Sequence, residues 1–172
     1  MNTAEIECIL RRAIEPLHVT FAGVFAADAI DNVVDFPTCF VVNTDPASKP
    51  GEHWVACYAK SLSEVEFFDS YGMPVSAYPN IRMPYSITRH NKISLQGFNS
   101  NACGHFCIYY LVKRAQGTTL RRIGTHLSAI NAVQRETLVR KFVFATTSRL
   151  HIRRPCRAAC VGLQCCGKRV LE

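Results

Sequence analysis

Four residues of this chain have the types and spacing to do chemistry together: His53 beside Trp54, then Asp69, Gln96 and Cys103, the last inside Gln-Gly-Phe-Asn-Ser-Asn-Ala-Cys-Gly. They supply a base, a carboxylate to orient it, an amide donor and a thiol. A thiol near neutral pH is a poor nucleophile until it loses its proton. A helix N-terminus and a neighbouring imidazolium both favour the thiolate, and together they lower a cysteine pKa from ~8.5 into the range of about 3.5–7.5. Cys103 stands where a polar Gly/Asn/Ser loop gives way to the apolar run His-Phe-Cys-Ile-Tyr-Tyr-Leu-Val, so both aids are available to it. His53 is the candidate to take the thiol proton and later return one to a leaving amine. Asp69 can accept from the other imidazole nitrogen and set the tautomer. Gln96, seven residues before Cys103, can join the Cys103 backbone N–H in stabilising an oxyanion. Each residue alone is weak; the ordered set is informative.

The elements that must hold these groups can be read from pattern. Asn2 and Glu5 make a capping pair for a first helix with Ile6, Ile9, Leu10 and Ala13 on one face, closed by Pro16. Residues 21–27 read as a strand or buried loop, and 39–43 as a buried strand. Residues 53–59 and 65–69 read as an antiparallel hairpin with Ser61, Leu62 and Ser63 at the turn, which brings His53 and Asp69 together locally. Pro74, Pro79 and Pro84 keep the following stretch irregular, and residues 92–96 are expected to form another strand. Residues 105–112 are apolar nearly all round, as a helix at the centre of a domain must be. Gly117 ends it. Two more helices are expected over 120–130 and 132–145, the second capped by Asn131.

The organisation expected is a protease-sized domain over 1–147 and a basic, Cys-rich tail over 148–172 without periodicity, poorly ordered. A chain of 172 residues can bury a core without staples. No apolar run is long enough for a membrane span, and no basic segment followed by an apolar stretch marks a secretory leader. Nine cysteines and no leader suggest a reducing compartment and free thiols. Cys107, one turn beyond Cys103, reads as a small buried hydrophobe. Trp54 reads as core, and Gly104 as room for a bound peptide to approach the backbone. Cys156, Cys160, Cys165 and Cys166 lack the spacing of common zinc modules, so no metal site is assigned. His18, His90, His105 and His126 are read as structural. There is no phosphate-binding glycine loop.

Charge is unevenly spread. Residues 1–100 carry 7 Lys/Arg against 11 Asp/Glu, and residues 101–172 carry 13 against 2. So lopsided a chain suggests a polyanion partner, most simply DNA bound without sequence preference, although a solvated basic face is the plainer reading of any charge run.

His-Trp, Phe-Asp-Ser-Tyr-Gly and Gln-Gly-x-Asn-Ser-x-x-Cys-Gly-x-Phe-Cys, together with Phe-Ala-Gly-Val-Phe at 21–25 and Val-Val-Asn-Thr at 41–44, resemble the adenovirus maturation protease family, adenain. The likeness runs from about residue 21 to 112. Similar proteases occur in adenovirus-like elements and Polinton transposons. The resemblance implies an α+β, papain-like cysteine protease with a central helix carrying Cys103 packed on a mixed sheet carrying His53 and Asp69. It implies a thiol endopeptidase trimming capsid and core precursor proteins, often after Gly-containing motifs, with His53 as base, Cys103 as nucleophile and Gln96 as oxyanion donor. No cofactor is implied, though DNA and a small viral peptide act as activators in that family; a monomer in the host nucleus and the virion is expected. Where adenain usually has Glu in Phe-Glu-Pro-Phe-Gly, this chain has Asp69. The ubiquitin-like-protein proteases of the same clan also use Asp, which makes deconjugation of such modifiers the alternative reading. Adenain's peptide is linked through a cysteine shortly before the Gln; this chain has none between Cys57 and Cys103.

Overall fold

The computed structural model describes residues 1–31 and 35–153. Five strands form one mixed sheet in sequential order: β1 (Thr20–Phe25), β2 (Thr38–Asn43), β3 (Trp54–Ser61), β4 (Glu64–Phe68) and β5 (Arg89–His90). β2, β3 and β4 run antiparallel to their successive neighbours, while the outer strands β1 and β5 pair in parallel with β2 and β4. Four helices complete the fold: α1 (Thr3–Ile14), α2 (Cys103–Ala115), α3 (Leu120–Ser128) and α4 (Ala132–Arg153).

Alternation along the central strands explains why they read as unbroken apolar runs. Cys39 and Val41 of β2, Ala56 and Tyr58 of β3 and Phe68 of β4 face the core shared with the helices. Their neighbours Phe40, Val42, Val55, Cys57 and Phe67 form a second cluster on the other face. The proline-rich stretch covers that second face with Val75, Tyr78, Ile81, Met83, Tyr85 and Ile87. A sheet buried on both faces cannot show the apolar–polar alternation of a half-solvated one.

α2 packs against β3, α1, α3 and α4, so residues 106–112 along its middle are all buried. Phe68 of β4 stacks on Tyr110 with ring centroids 4.5 Å apart. Lower on the same helix Arg114 pairs with Glu66 of β4 at 2.7 Å, and the Tyr110 hydroxyl donates to the same carboxylate at 2.9 Å. These contacts fix the rotation of the helix whose first residue is Cys103.

The helix ends match their sequence signals. Asn2 and Glu5 form a reciprocal capping box, and Asn131 and Gln134 form another at the start of α4. Gly117 follows α2 with φ +89°, a left-handed value that favours glycine. α4 runs on to Arg153, so residues 148–153, expected in the tail, are helical. The four tail cysteines lie outside the described residues.

The strand expected over 92–96 does not form; the fifth strand is the two-residue β5 just before it. The backbone groups of this segment are spent elsewhere. Leu95 and Gln96 both donate their N–H to the Ser70 carbonyl, at 2.7 and 2.9 Å. The Ser94 and Leu95 carbonyls accept from Arg135 of α4, at 3.3 and 2.7 Å. With one guanidinium and one carbonyl satisfying four backbone groups, no ladder partner is needed. Among the described residues no helix is long and apolar enough to cross a membrane.

Candidate active site

His53 immediately precedes β3 and Asp69 immediately follows β4. The hairpin's tight Leu62–Ser63 turn and its pairing of Ala56 with Phe68 carry the register to this end of the sheet. There His53 Nε2 and Asp69 Oδ1 lie 2.6 Å apart, with Asp69 fully buried and His53 nearly so. The ring's remaining nitrogen, Nδ1, is not used by Asp69, and the Cys103 thiol stands near enough to the imidazole for each to shift the other's pKa. The three residues expected to act together are brought together.

The Asp69 carboxylate is saturated. Oδ1 also accepts from the Tyr71 N–H at 3.1 Å. Oδ2 accepts from the Met73 N–H and the Tyr78 hydroxyl, each at 2.9 Å. Burial raises its pKa, but the bond to His53, the charge of His53 and the two backbone N–H groups outweigh that and hold it below 3.8. Its own backbone is clamped by the buried side chain of Asn91, which accepts from the Asp69 N–H at 2.9 Å and donates to its carbonyl at 2.6 Å. Asn91 thus replaces the missing next residue of the β4–β5 ladder.

The chain then reverses through Asp69-Ser70-Tyr71-Gly72, closed by the Gly72 N–H on the Asp69 carbonyl at 2.9 Å. Gly72 has φ +77°, and a Cβ there would stand 2.7 Å from the backbone of Ile93. Only glycine fits both the angle and the gap. This turn places Tyr71 against the base, its ring 4.9 Å from the imidazole.

Gln96 is buried, and its amide orientation is set by its partners. Oε1 accepts from the Ser70 hydroxyl at 2.7 Å, while Nε2 donates to the Ser100 carbonyl at 2.6 Å and to the Tyr71 hydroxyl at 3.2 Å. Loop 97–102, which separates Gln96 from Cys103, is held from outside by Arg140 of α4, which donates to Asn101 at 2.7 Å.

Cys103 is the first residue of α2 and partly exposed. Burial works against its ionisation, but the bond to His53, the N–H groups of Trp54 and Gly104 and the His53 charge together lower its pKa below the ordinary 9.0. His53 shows the complementary effect: burial lowers its pKa, yet Asp69 and Cys103 raise it to about 9. A depressed thiol beside an elevated imidazole is a pair whose neighbours favour the thiolate–imidazolium form over the neutral one. Cys107 contrasts with it. Fully buried, it donates to the Trp54 carbonyl at 3.3 Å, and burial pushes its pKa well up. It is a core residue, as expected. Cys39, Cys57, Cys103 and Cys107 all carry free thiols.

Gly104 does not leave room for a peptide. A Cβ on it would meet Ile6 at 3.2 Å, Met1 at 3.3 Å and Trp54 at 3.5 Å. The close approach is internal, between the N-terminal turn of α2 and α1, with Trp54 packed between the site and the core. His105 points away from the site; its Nδ1 is buried without a partner among the described residues, and burial lowers its pKa to about 4.

The sequence reading missed Tyr71, Tyr78, Asn91 and Arg135. Tyr71 had a signal, since it lies two residues after the carboxylate within the Phe-Asp-Ser-Tyr-Gly segment. The others come from loops and a helix remote in sequence. Several basic residues of the C-terminal half also prove structural: Arg114 binds Glu66, Arg135 binds backbone carbonyls, and Arg140 binds Glu136 and Asn101. Arg121, Arg122 and Lys141 remain on the surface.

No protein-family model matches the sequence, and no curated protein matches it. The structure is similar to the crystal structure of the selenomethionine form of ASFV pS273R protease, with a TM-score of 0.53 and 16% sequence identity over 91% of this chain and 68% of that one. The α+β fold expected from the sequence, a central helix on a mixed sheet as in the papain-like cysteine proteases, is the fold observed.

Proposed function

We propose that this protein is a cysteine endopeptidase of the viral maturation type. The observation that carries the reading is the Asp69–His53 pair set beside Cys103, with the thiol at the N-terminus of a buried helix and its pKa held down. In the reaction, the Cys103 thiolate attacks the scissile carbonyl carbon and the carbonyl electron pair moves to oxygen. The Cys103 backbone N–H, free of a helical partner in the first turn, and the polar group built around Gln96 stabilise that oxyanion. His53 gives its proton to the departing amine, leaving a thioester. A water then attacks the thioester, His53 takes its proton, and the thiol is restored. Asp69 keeps the ring oriented and stabilises the imidazolium throughout.

The substrates proposed are capsid and core precursor proteins, cleaved by a monomer in the host nucleus and the virion without a cofactor. DNA, held by exposed cations of the C-terminal half, and a viral peptide are the proposed activators. Asp in place of the adenain Glu supports a second reading, removal of ubiquitin-like modifiers from their targets.

Incubation with Gly-containing capsid peptides beside a ubiquitin-like modifier bearing a C-terminal fluorophore separates the two readings. Cys103→Ala is expected to abolish cleavage and iodoacetamide labelling at that site; activity surviving the substitution rules the mechanism out. DNA binding is expected to fall steeply with salt, and affinity indifferent to salt argues against the electrostatic contact.

A further inference from the structure

β4 stops at Phe68, which lies opposite Ala56 of β3, so in continued register Ser70 would come opposite Trp54. The chain has left the sheet by then, and the Ser70 carbonyl accepts from the Leu95 and Gln96 N–H groups instead. On the other side of β3, the Thr44 N–H donates to the His53 carbonyl at 2.9 Å. The backbone of His53 thus bonds towards β2, and strand alternation turns the Trp54 N–H and carbonyl towards the vacated β4 side. Backbone groups in so enclosed a place need partners from elsewhere.

Helix α2 supplies them. Cys103 and Cys107 are four residues apart and share one face of the helix. The Cys107 thiol, fully buried, donates to the Trp54 carbonyl at 3.3 Å. The Trp54 N–H is among the groups that favour the Cys103 thiolate. The indole is fixed separately, its N–H on the Met1 carbonyl at 3.3 Å. We infer that Cys107 is a positioning residue: its thiol bond to the Trp54 carbonyl fixes the start of β3, and with it His53 and the Trp54 N–H, against Cys103. This inference rests on the protease reading.

A small apolar side chain would fill the same space, but it would leave the Trp54 carbonyl without a donor. Burial raises the Cys107 pKa well above the ordinary value, so the hydrogen stays on sulfur and the thiol remains a donor at neutral pH. His53 is the residue before Trp54, so a carbonyl free to turn loosens the footing of the imidazole as well as the N–H. Misplacement of about 1 Å at such a point can lower a rate by about 10²-fold. No bond to Cys107 is made or broken in the reaction; it acts only through Trp54.

Cys107→Ala removes the donor and leaves a small void. Ile108→Val removes one buried methyl from the next residue of the same helix and touches no side-chain hydrogen bond, so it reports the void alone. Three readouts need no substrate: thermal melts, the pH profile of Cys103 alkylation by iodoacetamide, and the infrared band of the Trp54 carbonyl. That band is isolated by tryptophan carrying carbon-13 at its carbonyl, since the chain has a single Trp. Both variants are expected to melt below wild type. Only Cys107→Ala is expected to move the carbonyl band to higher frequency and to slow alkylation on the acid side of its midpoint, by about tenfold, with the alkaline limit unchanged. A Cys107→Ala variant with the alkylation profile of Ile108→Val makes Cys107 a filler of the core and overturns the inference. So does a Trp54 carbonyl band that Cys107→Ala leaves in place. Wild-type protein whose Cys103 alkylates with the profile of a free thiol overturns the protease reading, and this inference with it.

Discussion

Replacing Asp69 with Asn keeps the shape of the side chain and removes its charge, and the structure says what that should do. Each Asp69 oxygen accepts two donors: Oδ1 from His53 and Tyr71, Oδ2 from Met73 and Tyr78. Whichever way the substituted amide turns, its NH₂ faces a pair of donors, and at least one is left unsatisfied in a buried place at a cost of about 1–3 kcal/mol. The larger effect falls on His53. Its pKa stands at about 9 although burial alone would take it below 6.5. Losing the carboxylate removes the foremost of the effects that raise it. A return towards 6.5 is about 3 kcal/mol, or on the order of a hundredfold in the equilibrium between the neutral and the ion-paired Cys103–His53 forms. NMR titration of the His53 ring records the whole change, as a midpoint moving from about 9 towards 6.5. Iodoacetamide alkylation of Cys103 near neutral pH should follow the same change, with an expected loss of about tenfold or more. A variant whose His53 still titrates near 9 would refute the reasoning, since the elevation would then owe nothing to the carboxylate.

Further expectations follow from the same contacts. In wild-type protein kcat/KM should fall on the alkaline side as pH passes about 9, where the imidazolium that protonates the leaving amine is lost; a descending limb centred near 6.5 would contradict the proton assignment. Stability shares this sign: the bonds that raise the His53 pKa contribute fully below pH 6.5 and are lost as pH rises through about 9, whereas those holding Asp69 below 3.8 are lost as pH falls, so thermal melts should show a plateau between the two. Gly72→Ala should destabilise the fold by roughly 1–3 kcal/mol in urea melts, through left-handed strain and the clash with Ile93, and should lower activity more than a surface Gly→Ala change does. Arg114→Leu should cost about 3–5 kcal/mol in the same melts, because it strands the buried Glu66 carboxylate, while Glu66→Gln combined with Arg114→Leu should recover much of the loss.

Much of this protein was readable before its structure because the relevant signals are local. The β3–β4 hairpin is announced by two apolar β-rich runs around a two-residue turn, and the pairing of neighbouring strands puts His53 beside Asp69 whatever the rest of the chain does. The Gly/Asn/Ser loop followed by an unbroken apolar run likewise announces a buried helix beginning at Cys103. Capping boxes at Asn2 and Asn131 and the stop at Gly117 depend on residues within a turn of each other.

What tertiary structure alone decided is how distant segments satisfy one another's polar groups. Segment 92–96 has the composition of a strand, but its backbone is met by Arg135 and the Ser70 carbonyl, partners that no periodicity reveals. Asn91 and Tyr78 reach Asp69 only because the chain returns along the sheet edge and across its second face. Gln96 could be named a hydrogen-bond donor from its type and position, yet whether its hydrogens are available depends on where Tyr71 and Ser100 come to rest. Residue type sets what a group can do, and neighbours close in sequence set which element holds it. Which hydrogen is left over for chemistry is settled only when every buried donor and acceptor has found its partner.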